Sequence, residues 1–153
     1  MAMTMQGEVA LPADQATVWA ALNDPEVLKA AIPGCQELKK ISDTEFQATA
    51  KVSVGPVKAT FKGGVTLTDL DPPNGYTISG EGQGGVAGWA KGGAKVRLEG
   101  IEGGTKLIYD VEANVGGKIA QLGGRLINGV AKKYADEFFA NFAKILSPAE
   151  SAA

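Results

Sequence analysis

Gly80, Gly82 and Gly85 spell G-x-G-x-x-G inside the run GEGQGGVAGWAKGGAKV, residues 80–96. Such glycines can cradle a phosphate when they lie between a strand and the N-terminus of a helix. Here residues 90–98 alternate with period two, so a second strand is expected where the helix should be. A hairpin with bends uses the same glycines, because glycine admits bulges and sharp curvature. Other residues able to do chemistry are few. Histidine is absent, which removes the usual general base near neutral pH, the Ser-His-Asp and Cys-His pairs, and the commonest zinc ligand. Only carboxylates remain for a metal, and no EF-hand spacing supports one. Asp69 and Asp71 fall at a strand end beside a turn and read as solvated turn residues rather than a catalytic pair. Cys35 reads as a buried small residue, with no neighbour in sequence that would lower its pKa. Tyr109 and Tyr134 read as core residues with satisfied hydroxyls, with ligand contact as the alternative.

The elements that must position these residues follow from periodicity. Residues 3–11 alternate as a strand, and Pro12 ends it. Asp14 can cap a short helix carrying Val18, Trp19 and Leu22. Asp24-Pro25 starts a second one, which stops at Ile32-Pro33-Gly34. Strands are expected at 36–41, 45–54, 57–67, 76–84, 90–98 and 105–115, with turns at Gly55-Pro56 and at residues 71–75. From 118 to 146 there is no proline. The apolar period there becomes helical through Ile119, Leu122, Leu126, Val130, Tyr134, Phe138, Phe142 and Ile145. One helix of about 28 residues, about 42 Å long, is expected, with Ser147-Pro148 closing it. An antiparallel sheet that is apolar on one face needs a partner there, and this helix is the only element large enough. The expectation is α+β: a curved sheet around a long C-terminal helix, with two short helices plugging one end. Residues 1–147 are expected as a single domain and 148–153 as a short disordered tail.

The chain has 153 residues, enough for one real core. Its formal charge of −2 offers no electrostatic case for nucleic acid. A single cysteine excludes an internal disulfide framework and fits a reducing compartment. The N-terminus has no basic segment followed by a long apolar run, so no signal peptide is expected. No stretch approaches the ~18 apolar residues of a membrane span. The expected location is the cytoplasm.

The 21 glycines, about twice the usual share, matter most on the inward parity. Ala90, Gly92 and Ala94 are small, as are Ala48, Ala50, Ala59 and Gly63, and so are Gly116, Gly117, Ala120, Gly123 and Gly124 at the start of the expected helix. Either the helix packs closely on the sheet or an apolar, ligand-sized cavity remains between them. The strand charges, Lys51, Lys58, Lys62, Lys91, Lys95, Arg97, Glu99, Lys106, Asp110 and Glu112, fall on the outward parity. That partition leaves no inward carboxylate pair for acid–base chemistry.

The pieces AIPGC (31–35), GPVKATFKGGV (55–65), AKGGAKVRL (90–98), GGTKLIYDVEANVGGKIAQLGGRLI (103–127) and FFANFAKIL (138–146) resemble the G-subunit family of carbon monoxide dehydrogenase. That family lies within the helix-grip (START/Bet v 1-like) superfamily. The resemblance covers nearly the whole chain. It implies a seven-stranded sheet gripping the C-terminal helix around a hydrophobic cavity. It also implies an accessory role, with no cofactor of its own, beside a molybdenum–flavin–iron–sulfur dehydrogenase. Roles of that kind include carrying a quinone and recruiting the enzyme to the membrane, with peripheral contact at its inner face.

On this reading the protein is a non-enzymatic carrier of a quinone or lipid. Parity and helical phase nominate Phe46, Phe61, Ala90, Gly92, Leu122, Leu126 and Val130 as the lining. Ile32 and Trp89 are placed at the mouths, although the parity of Trp89 points outward. Arg125 sits one step off the apolar stripe, where it meets either a polar head group or solvent. Two rivals stand beside the carrier. One is a cyclase or hydrolase, which the same fold hosts. The other is an adaptor with an empty cavity, which a large exposed apolar patch would favour.

Overall fold

The structure, a computed structural model, describes residues 2–146. β1 (Ala2–Leu11) leads into α1 (Gln15–Leu22) and α2 (Pro25–Ala31). Six strands follow: β2 (Cys35–Ser42), β3 (Glu45–Val54), β4 (Val57–Asp71), β5 (Gly75–Gln83), β6 (Trp89–Ile101) and β7 (Gly104–Gly116). The helix α3 (Gly124–Leu146) comes last. The expected Ser147-Pro148 helix stop and the tail at 148–153 lie outside the described residues. The strands form one antiparallel sheet in the order β1-β7-β6-β5-β4-β3-β2. This is the α+β helix-grip arrangement expected from the order of periodic segments.

The two short helices begin where their caps dictate. The Asp14 carboxylate accepts the Thr17 N–H at 2.8 Å, and hydrogen bonding from the Thr17 side chain first and its N–H second holds the carboxyl below its ordinary value. Asp24 accepts the Glu26 N–H at 2.9 Å, and Pro25 opens α2. The chain then leaves through Gly34 at φ +77°, where a Cβ would collide with the Lys51 carbonyl oxygen. Only glycine fits that turn. Cys35, expected to be buried, is half-buried just after it. Its thiol donates to the Glu37 carbonyl at 3.5 Å, and burial pushes its pKa up, away from thiolate reactivity.

The single long helix expected over 118–146 is in fact two pieces. Residues Lys118–Leu122 form a 3₁₀ turn, and Gly123 at φ +93° breaks the ladder before α3 starts at Gly124. Within α3 the expected stripe holds in the middle, with Phe138 and Phe142 in the larger of two core clusters and Val130 on the smaller, and departs at the two ends. Ile127 and Leu146 are buried, whereas Leu126 and Ile145 are 37% and 43% exposed. β4 also runs four residues past its expected end, to Asp71. Asp69 at φ +52° lies within a register shift there, between Thr68 and Asp71.

The core divides into two clusters. The larger gathers Leu11, Val18, Leu22, Phe46, Leu67, Tyr76, Leu98, Leu107 and Phe142 beneath α1, α2 and the second half of α3. Phe138 and Phe142 stack with ring centroids 5.4 Å apart, and Trp19 meets Tyr76 at 5.2 Å. The smaller comprises Val54, Val115, Ile119 and Ile127, with Met3, Val52, Phe61, Ala90, Leu122 and Val130 packed against it.

Candidate functional site

Between the two clusters the inner face of the sheet is bare. Cross-strand register lines up Ala48, Gly63, Gly82 and Ala90 in one row, and Val65, Gly80, Gly92 and Ala113 in the next. A third row holds Ile78, Ala94 and Val111. All of these inward positions are half-exposed rather than buried. Small side chains therefore leave an open apolar trough of about 370 Å³ over five adjacent strands. That volume lies within the range of small-molecule sites, about 300–1,000 Å³. Phe61 forms one wall, its ring lying under Gly84, where a Cβ would meet the ring at 2.7 Å.

No ionisable side chain stands on the inward parity of this floor. Lys62, Glu81, Lys91 and Glu112 border the trough, but they occupy alternate positions and are exposed on the outer face. Among the described residues no group of histidine, cysteine or carboxylates could hold a metal ion. The two tyrosines are structural. Tyr109 stacks on Phe139 at 5.2 Å and lies over its cross-strand neighbour Gly7. The Tyr134 hydroxyl accepts the Ser53 N–H at 3.0 Å, which ties α3 to β3. Such a site can hold an apolar molecule by burial, and it lacks a group placed to move a proton.

The expected lining residues divide. Phe61, Ala90 and Gly92 do line the trough. Leu122 and Val130 pack on the smaller cluster at its end, half-buried. Phe46 is displaced into the larger cluster and is 4% exposed. Leu126, near the start of α3, turns to the β3–β4 turn, where its side chain lies against Gly55, and Ile127 is buried in its stead. Ile32 is the half-buried C-cap residue of α2 and lies outside the trough lining. Arg125 is exposed at the start of α3. Trp89 follows its parity outward: its indole covers Gly116 on the outer face. The central floor from β5 and β7, namely Ile78, Gly80, Gly82, Val111 and Ala113, was missing from the expected lining. Its signal was the same parity that nominated Ala90 and Gly92.

Back to back with the trough, the outer face carries a polar groove of about 960 Å³. Thr66, Thr77, Ser79, Lys91, Lys95, Asp110 and Glu112 line it, and Trp89 also borders it. Gly64 and Gly93 leave its floor without side chains, so trough and groove share a stretch of naked backbone.

A curved seven-stranded sheet, a C-terminal helix across it and an open apolar floor between them define a START-like protein with a ligand-binding fold. The chain belongs to the CoxG family, the G-type component of carbon monoxide dehydrogenase, whose sequence model matches residues 7–147. Its structure is similar to that of a conserved protein from Geobacillus kaustophilus, with TM-score 0.86 and 29% identity over 94% of this chain and 95% of that one. Ara h 8.0201 superposes with TM-score 0.65 at 20% identity, covering 95% of this chain and 99% of its own. The Zhui aromatase/cyclase from a Streptomyces species does so with TM-score 0.68 at 14% identity, covering 95% and 94%. At these last two identities the likeness is one of fold alone. No curated protein matches the chain.

Proposed function

We propose that this protein is a non-enzymatic accessory protein that holds a hydrophobic small molecule, a quinone or a lipid, in the trough. It works beside a molybdenum–flavin–iron–sulfur dehydrogenase of the carbon monoxide dehydrogenase type. The observation that carries this reading is the half-exposed, uncharged floor of glycine, alanine and aliphatic side chains between two packed clusters. A floor of that kind stays accessible while remaining apolar, which is what a lipophilic guest needs. Family membership supplies the partner class. The rival enzyme reading rests on fold likeness, and fold does not fix function.

Peripheral membrane contact belongs to the same reading. The turn between β3 and β4, the 3₁₀ turn Gly85–Ala87 and the Lys118–Leu122 turn meet at the end of the smaller cluster. Val86 is 92% exposed there. Lys58, Lys118 and Arg125 lie in or beside these turns. A cationic end with an apolar tip suits the headgroup region of an anionic membrane.

The direct test is mass spectrometry of organic extracts of the purified protein, beside titration with ubiquinone and menaquinone analogues. Gly82→Leu is the informative variant: a Cβ there meets its nearest neighbours at 3.8 Å, so the new side chain fills the trough without striking the backbone. Saturable quinone binding that drops at least about tenfold in Gly82→Leu, a change of about 1.4 kcal/mol, supports the carrier. No extractable ligand and no saturable binding would leave the adaptor reading in its place.

A further inference from the structure

The sheet has two edges, and they are built to different rules. β2 is short, carries Glu37, Lys39 and Lys40, and is interrupted by register shifts at Cys35/Glu37 and at Lys40/Ser42. Bulges and charges of this kind keep an edge from pairing with another chain. β1 has none of these guards. Its ten residues pair with β7 without interruption, from Ala2 opposite Asn114 to Leu11 opposite Thr105. It holds no proline and one charged residue, Glu8. Among the described residues, no hydrogen bond outside the β1–β7 ladder reaches the backbone of β1. A strand of ten residues offers about 34 Å of open ladder.

We propose that β1 pairs antiparallel with β1 of a second copy of this chain, about a two-fold axis through Gln6, so that two seven-stranded sheets become one. Face, charge and the length of pairing set the register, since an axis at Met5 joins only residues 2–8. To keep both concave faces on one side, partner positions must have the same parity. An axis at Glu8 would set two carboxylates opposite each other, which is destabilising. An axis at Gly7 would bring Leu11 into the pairing, and Leu11 is only 2% exposed, already covered by its own molecule. The axis at Gln6 joins residues 2–10 of each chain. On the outer face Gln6 meets Gln6, and Thr4 meets Glu8 twice. On the inner face Met5 lies opposite Gly7 and Met3 opposite Val9, all half-exposed in one copy. A two-fold interface closes after one partner. Strand pairing alone buries less than a standard interface, so the dimer is weak and concentration-dependent. This inference stands apart from the ligand reading, since none of these residues lines the trough.

The test is sedimentation equilibrium of the full chain over a wide concentration range, with two substitutions at the exposed position 4. The wild type reaches a dimer and goes no further. Thr4→Glu places a like charge opposite Glu8 at two symmetric sites and weakens association several-fold. Thr4→Lys places an opposite charge there and tightens it. Circular dichroism melting shows that each variant keeps the fold. A wild type that stays monomeric at every concentration reached overturns the proposal. So does an equal shift by both substitutions, or shifts of the same size from the same two substitutions at exposed Ala16, which lies off the paired edge and reads net charge alone.

Discussion

At one end of the grip, Phe142, Leu11, Leu107 and Val18 are each no more than 2% exposed, and the rings of Trp19, Tyr76, Phe138 and Phe139 surround them. Side chains lace this end together. The Gln15 amide donates to the Pro73 and Leu98 carbonyls, the buried Thr105 hydroxyl donates to Ala13 at 2.8 Å, and Asn141 donates to the Ala31 carbonyl. At the other end four aliphatic residues make the whole buried cluster. The turns there run through Gly55, Gly85, Gly88, Gly117 and Gly123, all at positive φ. The difference separates two tasks. Stability resides where large side chains meet, and access resides where small ones leave room.

Substitutions can break or sharpen that contrast. The largest effect is expected from Phe142→Ala, which empties a fully buried site and costs about 3–5 kcal/mol. Urea denaturation measures it, with Leu122→Ala as the comparison at the half-buried, loose end. If Leu122→Ala costs as much, the division of labour between the ends is wrong. Next comes the charge contrast. Removing Lys118 and Arg125 together, at about 1 kcal/mol per cation near an anionic surface, weakens vesicle binding roughly 30-fold. Co-sedimentation with anionic vesicles reads this change, and an unchanged bound fraction would detach the loose end from the membrane reading. The smallest effect concerns pH. Burial pushes the Tyr76 phenol well above its ordinary value. The unfolded chain releases this proton near pH 10 while the folded chain retains it. The Tyr76 contribution is therefore complete below that pH and is lost as pH rises beyond it. Tyr76→Phe flattens the alkaline limb of a stability–pH curve; an identical limb in both proteins would place the ring in a wetter site.

Strand order, helix order and the two helix caps were legible because period two and the Asp14 and Asp24-Pro25 signals are local. The apolar floor was legible in part for the same reason: parity placed Gly63, Ala90 and Gly92 inward without any knowledge of neighbours. Helical phase was legible at Ile119, Val130, Phe138 and Phe142, and not at the ends of α3, where Leu126 and Ile145 are exposed. A stripe read continuously from Ile119 assumes one ladder, and the left-handed Gly123 supplies two. Position along a strand was not legible either. Phe46 and Phe61 share the inward parity, yet one belongs to the larger cluster and the other borders open space. Which end of each strand meets the larger cluster depends on where α1, α2 and α3 dock, and that is a property of the assembled fold.

The outward turn of Trp89 gives the molecule two optical reporters with separate assignments. Trp19 packs against Tyr76 within the larger cluster, while Trp89 is 40% exposed over Gly116. A change in emission from Trp19 registers loss of the packed end. A change from Trp89 registers events on the outer skin of the sheet, one residue away from the trough wall at Ala90. With Trp19→Phe the remaining signal in the folded protein reports the outer face, and with Trp89→Phe it reports the packed end.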